Sequence, residues 1–392
     1  MKAFIPLTTL IGLMLSWPFH SFSQTESSVI PEYQIEQMGE SVDSEPLLPF
    51  VHNGYVYIFS MARKQPAWRI FIGGDLVNPF TADKGRIFVY DIYNRVLGID
   101  SVNRRILWRT DIKDEIKGRP CVYKHYVLVC TQKGTLVILS DESGQVLFEH
   151  PGAAEIVGGL AVFRNLALVP YKNGRVAAFD VDTKTEAWVF NAGGVVSVSP
   201  VVHGDFAYFG AWDETLYAVD ASKGTLKWAS HVGEDVTREF LVFDDAVVLF
   251  FSKGQILGLD SESGEIRWGR NYERLEFNFN YFQAKGKFFL FTPDFVALNP
   301  SNGGVLYRYR EKAYGAYKDM LFENMIAGEH ALTDEERNAI MSTRYFTVNS
   351  YPHMPPLNAD GALVYFVTED SYLYVYDLDK DFLILKYKLT QG

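Results

Sequence analysis

Trp212 and Asp213, adjacent in the stretch GAWDET, are the residue types best suited to holding a ligand, an indole face beside a carboxylate. Such a pair could stack a cofactor, but nothing around it supplies the remaining ligands, so it reads as a packed hairpin tip. The eight histidines are scattered without metal-ligand spacing, and His330 and His353 read as singles on the surface or in the core. No GxSxG elbow, phosphate loop or dinucleotide fingerprint is present, and ESG at 142–144 and 262–264 is turn chemistry. The acid pairs Glu234–Asp235 and Asp244–Asp245 fall in predicted loops as solvated surface. Cys121 and Cys130 flank a predicted hairpin turning near Lys124 and His125, offset by about three residues. That offset strains the Cα separation of a disulfide, so two free, buried thiols are expected. These residue types yield no catalytic, cofactor or metal site.

The elements that must position any site follow from a repeat. Trp68, Trp108, Trp188, Trp228 and Trp268 are separated by multiples of 40 residues. Phe148 fills the vacant node, Tyr307 follows after 39 residues, and Leu385 after twice 39. Each full unit holds four short runs of period-two alternation, separated by Gly, Asp, Asn or Ser, which predicts four antiparallel strands. Such units in tandem predict an all-β propeller, because one blade cannot bury both of its faces alone. Asp100, Asp180, Asp220 and Asp260, with Ser140 and Asn299, are placed to accept backbone N–H groups in the turn after strand three. Gly144, Gly224, Gly264 and Gly303 suit its left-handed corner. The grid tryptophans open strand four, where each ring can wedge against the neighbouring blade. All of these repeat positions read as structural.

Eight nodes predict eight blades, with seven the alternative, in a propeller domain of residues 46–392. In the first unit, LPFVHNGYVYIFS matches SPVVHGDFAYFGA as strands one and two, and MARKQPAW follows with no third strand. EYQIEQM (32–38), within an N-terminal segment 24–45, is placed to supply a missing strand there or to close the ring. Residues 308–346 break the repeat and predict a helical hairpin inserted between the last two blades. Tyr317, Leu321 and Met325 share helical spacing ahead of Gly328, and Thr333 and Glu336 form a capping box. This insertion is a candidate docking element, with those three residues as its contacts. In the aromatic run 276–295, Phe277, Phe279 and Tyr281 alternate onto one face and read as blade core.

Residues 1–23 carry Lys2, an apolar stretch from Ala3 to Trp17, and small residues at Ser21 and Ser23. This reads as a secretory signal peptide cut after Ser23, its apolar stretch too short to span a bilayer. Cleavage removes Lys2 and no acid, moving the formal charge from −11 to −12. An acidic exported chain without a basic run excludes a nucleic-acid partner.

The motif A-x-D-x-x-x-G-x-x-x-W is met by Ala218, Asp220, Gly224 and Trp228, and by GLDSESGEIRW with Gly258 in place of Ala. It resembles the pyrroloquinoline quinone (PQQ) repeat, and the resemblance covers about Pro46 to Leu389 outside the insertion. That repeat serves both quinoprotein dehydrogenases and BamB-like outer-membrane assembly factors. The dehydrogenases hold PQQ beside a vicinal Cys–Cys disulfide and coordinate Ca²⁺ with Glu, Asn and a catalytic Asp, whereas here no two cysteines are adjacent. The closer resemblance, to the BamB-like family, implies a non-enzymatic, periplasmic or outer-membrane-associated scaffold. It also implies no cofactor and an envelope protein partner such as the outer-membrane insertase. The alternatives are an enzyme or sensor binding PQQ with calcium, and a cell-wall polysaccharide binder using rim aromatics.

Overall fold

The computed structural model describes residues 35–38, 47–73, 80–251, 254–271, 280–284, 286–291, 295–309, 363–367, 371–377 and 382–389. Every regular element among them is a β-strand. The chain divides into Met1–Tyr33, outside the described residues, and Gln34–Gly392. The expected signal peptide, the helical hairpin from residue 310 onward with Tyr317, Leu321 and Met325, and Phe277 and Phe279 also lie outside them. Arg308, expected to begin the hairpin, instead belongs to the strand Val305–Tyr309.

The described residues form eight antiparallel sheets, most of them four-stranded in simple chain order, as in a β-propeller. The fifth runs Val201–His203, Phe206–Gly210, Thr215–Asp220 and Leu226–His231. Its second strand is buried almost throughout, while its outermost strand buries only Trp228. Central strands are buried on both faces because a sheet stands on either side. Ala207, Phe209 and Val219 pack against Leu168 and Trp188 of the preceding sheet, and Tyr208, Leu216 and Ala218 against Val247 and Leu249 of the following one. Period-two alternation thus sends successive residues to two different neighbours.

The first sheet corrects one expectation. Its strands are β1 (Ile35–Gln37), β2 (Leu47–His52), β3 (Tyr55–Ser60) and β4 (Gln65–Phe71), ordered β1-β4-β3-β2. Ile58 pairs with Trp68 and Phe59 with Pro66 across a bulge, the register of Ala218 with Trp228 and Val219 with Leu226. So β3 is the third strand, which the sequence reading took to be absent, and β2 is the second. Ser60 stands in the place of Asp220, with its Oγ accepting the Arg63 N–H at 3.0 Å. β1 adds beyond β4, placing Gln37 opposite Trp68. The last sheet has three strands among the described residues, Leu363–Val367, Tyr372–Asp377 and Phe382–Lys388. It meets the first through Leu48, Phe50, Leu373 and Val375, and through a buried His52 Nε2–Ser371 Oγ hydrogen bond of 2.8 Å.

Candidate functional site

The repeat residues form latches between successive sheets. The indole N–H of Trp108 donates to the Asp141 carbonyl at 2.8 Å, Trp188 to Ala221 and Trp228 to Ser261 at 3.1 Å, and Trp268 to Pro300 at 2.8 Å. Over each of these rings lies a glycine of the next sheet. A Cβ on Gly224 would sit 2.5 Å from the Trp188 ring, and one on Gly264 2.7 Å from the Trp228 ring; Gly144 covers Trp108 and Gly303 covers Trp268 in the same way. Non-glycine residues also hold this left-handed corner, at Lys64, Arg104 and Lys184. Lys184 follows the Phe148 node and lays its ammonium over that ring at 5.4 Å. Arg104 follows Trp68, whose buried Nε1 has no hydrogen-bond partner among the described residues.

The aspartates close the turn. Asp220 Oδ1 accepts the N–H groups of Ser222 and Lys223 at 2.9 and 3.0 Å, and Asp260 Oδ1 those of Glu262 and Ser263 at 2.8 and 2.7 Å. Asp100 and Asp180 bind Val102 and Asn103, and Asp182 and Thr183, in the same way. The Ser222 hydroxyl holds the Asp220 carboxyl below its ordinary range, as the Ser263 N–H does for Asp260. These carboxylates are therefore fully engaged as structural acceptors.

On the face with the turns between strands one and two, exposed polar clasps join neighbouring sheets: Arg164 with Asp205 at 2.9 Å, His203 with Asp244 at 2.8 Å, and Tyr123 and Lys124 with Asp182 at 2.9 and 2.8 Å. Asp244, read as plain solvated surface, thus has a partner in the preceding sheet. Cys121 and Cys130 are both free. Cys121 pairs with Leu128, and Cys130 lies opposite Lys117. Burial pushes the Cys130 thiol up to about 12 and raises Cys121 as well, which suits neither to nucleophilic work. No group of three His, Cys, Asp or Glu among the described residues could hold a metal ion.

The opposite rim carries the turns between strands two and three. In the third and fourth sheets these turns are charge-neutralised, Lys133 by Asp114 at 3.8 Å and Lys172 by Glu155 at 3.1 Å. Trp212 stands forty residues after Lys172, and it is not a packed tip: its side chain is 48% exposed. The turn is held from both sides, Trp212 N–H donating to the Val195 carbonyl at 3.0 Å and Val236 N–H to the Ala211 carbonyl at 3.2 Å. Gly193 and Gly194 run so close beneath Asp213 and Trp212 that a Cβ on Gly194 would lie 2.6 Å from the Asp213 nitrogen. No side chain from that loop can therefore cover the indole. Its Nε1 donates to Ser197 Oγ at 2.9 Å, tying the ring edge while leaving its surface open. Asp213 accepts the Tyr217 hydroxyl at 2.5 Å, and burial together with that carboxylate raises the Tyr217 pKa, keeping it a donor. On the same rim, Phe71, Ile92 and Tyr93 form a second exposed apolar group. The sequence reading missed the exposure of Trp212; its departure from the 40-residue grid and the Gly193–Gly194 pair are the signals that mark it.

Comparison with known proteins decides the lineage. The profile of a PQQ-repeat family described as outer membrane protein assembly factor BamB matches residues 52–157 and 150–278. The chain belongs to this family. A BamB from Yersinia pestis is 24% identical over 207 residues, covering 49% of this chain and 52% of that protein. The chain spans about half the length of the curated relatives it matches. Among solved structures, BamB from Moraxella catarrhalis is similar with a TM-score of 0.56 at 17% identity, over 71% of this chain and 88% of that one. A europium-containing methanol dehydrogenase is similar at the same TM-score, 0.56, with 13% identity over 80% of this chain and 78% of that one. Those two likenesses show the propeller fold and do not choose between tasks.

Proposed function

We propose that this protein is a non-enzymatic scaffold of outer-membrane protein assembly, exported to the periplasm, that docks a protein partner through the rim around Trp212. It works by surface complementarity and carries no cofactor. The observation that carries this reading is a tryptophan held open at a rim by two glycines, in a chain of the BamB family. Exposed aromatics in a rigid setting anchor protein interfaces, where Trp contributes large apolar area at little entropic cost. Support also comes from the chemistry of the other polar residues: the repeat aspartates and tryptophans are engaged in turns and latches, and the two thiols are held protonated.

The test is a photo-crosslinking amino acid at position 212 of the full chain, expressed in its own envelope, with captured peptides identified by mass spectrometry. The outer-membrane insertase should be the main product, and the same probe at Val102, exposed on the opposite face, should not capture it. Capture at 102 and not at 212 would overturn the assignment of the rim.

A further inference from the structure

We propose that the Trp212 rim recognises a cation, an arginine or lysine side chain on an extended segment of its protein partner. This rests on the docking reading and adds the chemistry of what docks. The turn and its two flanking connections carry Asp213, Glu214, Glu234 and Asp235 against one arginine, Arg238. The connection bearing Glu234 and Asp235 is fastened to the turn by Val236 N–H on the Ala211 carbonyl and by Val232 N–H on the Glu214 carbonyl at 2.8 Å. The acids and the indole therefore belong to one rigid sector. His231 lies 3.3 Å from Glu214 and is the nearest titratable base there.

The preceding two sheets show what this sector lacks. Their turns supply Lys133 and Lys172 to neighbouring acids, whereas the fifth sheet keeps acids and has Trp212 in the lysine's place. A cation brought by a partner restores the balance, and the indole face attracts that cation through its quadrupole. Because Nε1 is tied to Ser197 Oγ, the ring is already oriented and little side-chain freedom is lost on binding. The glycine floor leaves room for an aliphatic stem to lie along the ring. An indole alone would equally stack a sugar; the ring of carboxylates favours a cation.

Incorporation of 5-fluorotryptophan into the full chain gives Trp212 a ¹⁹F resonance, assigned by its loss in Trp212→Phe. The probes are the blocked peptides acetyl-Gly-Arg-Gly-amide, its lysine counterpart, and its citrulline counterpart, which keeps the shape of arginine without the charge. The arginine and lysine peptides should move the Trp212 resonance saturably, and citrulline should not. Glu234→Gln with Asp235→Asn should weaken the arginine peptide at least about threefold, and added salt should weaken it further. A resonance that ignores both cationic peptides, or follows citrulline equally, overturns the proposal. A resonance moved only by a chitooligosaccharide overturns it in favour of a glycan. If position 212 still crosslinks to the insertase in those cases, the docking reading stands without the cation; if the crosslink also fails, both fall.

Discussion

Trp228 and Trp212 belong to the same sheet, sixteen residues apart, and are used in opposite ways. Trp228 is buried beneath Gly264 and gives its N–H to a main-chain carbonyl of the next sheet. Trp212 is open to solvent and gives its N–H to a side chain of the preceding connection. Glycine decides both cases, by making room for one ring and by leaving the other uncovered. Residues that recur every forty positions serve contacts between sheets. The tryptophan that breaks the recurrence is left for something outside the molecule.

The comparison can be broken first at the glycine. Gly264→Val should lose about 3 kcal/mol or more of stability in urea, since φ is +76° and the new Cβ would meet the Trp228 ring at 2.7 Å. A loss below about 1 kcal/mol would mean that the latch is slack. Next comes a matched pair: Trp228→Phe should cost about 1–3 kcal/mol through a cavity and a lost hydrogen bond, and Trp212→Phe no more than about 0.5 kcal/mol. Equal costs would erase the distinction between grid and rim.

Acid sensitivity sharpens it further. The folded pKa values of Asp220 and Asp260 are lowered, so their contribution is complete above the ordinary carboxylate range and is lost as pH falls through about 4 and below. Asp220→Asn with Asp260→Asn keeps an acceptor oxygen without titrating. Its thermal midpoint between pH 5 and pH 3 should fall less steeply than that of the parent. The smallest effect belongs to the exposed clasps. Arg164→Ala should change stability by no more than about 0.5 kcal/mol, and the difference should vanish in high salt.

The propeller was legible because its latches demand the same residues at the same spacing. Trp108, Trp188 and Trp228 point to a blade each, and the aspartate turns to a hairpin each. The strand numbering of the first sheet was not legible from alternation, because LPFVHN and GYVYIFS are two short apolar runs that fit strands one and two as well as two and three. The offset of 160 residues linking Ser60 to Asp220 and Trp68 to Trp228 resolves it. Trp212 was misread for a different reason. Whether a hairpin tip is covered depends on the loop that faces it, and that loop lies in a different sheet's connection.

The latches also set an order of folding. Trp108 reaches 33 residues ahead, as do Trp188 and Trp228, so each sheet can be locked as soon as the next one has been made. The entropic cost of such short closures is small, and a chain emerging N-terminus first can add blades one after another. His52 and Ser371 are 319 residues apart, and their hydrogen bond must wait for the final strand. Growth is sequential and circularisation comes last: an open arc of stacked blades precedes the ring, and the meeting of its two ends is the slow, long-range step.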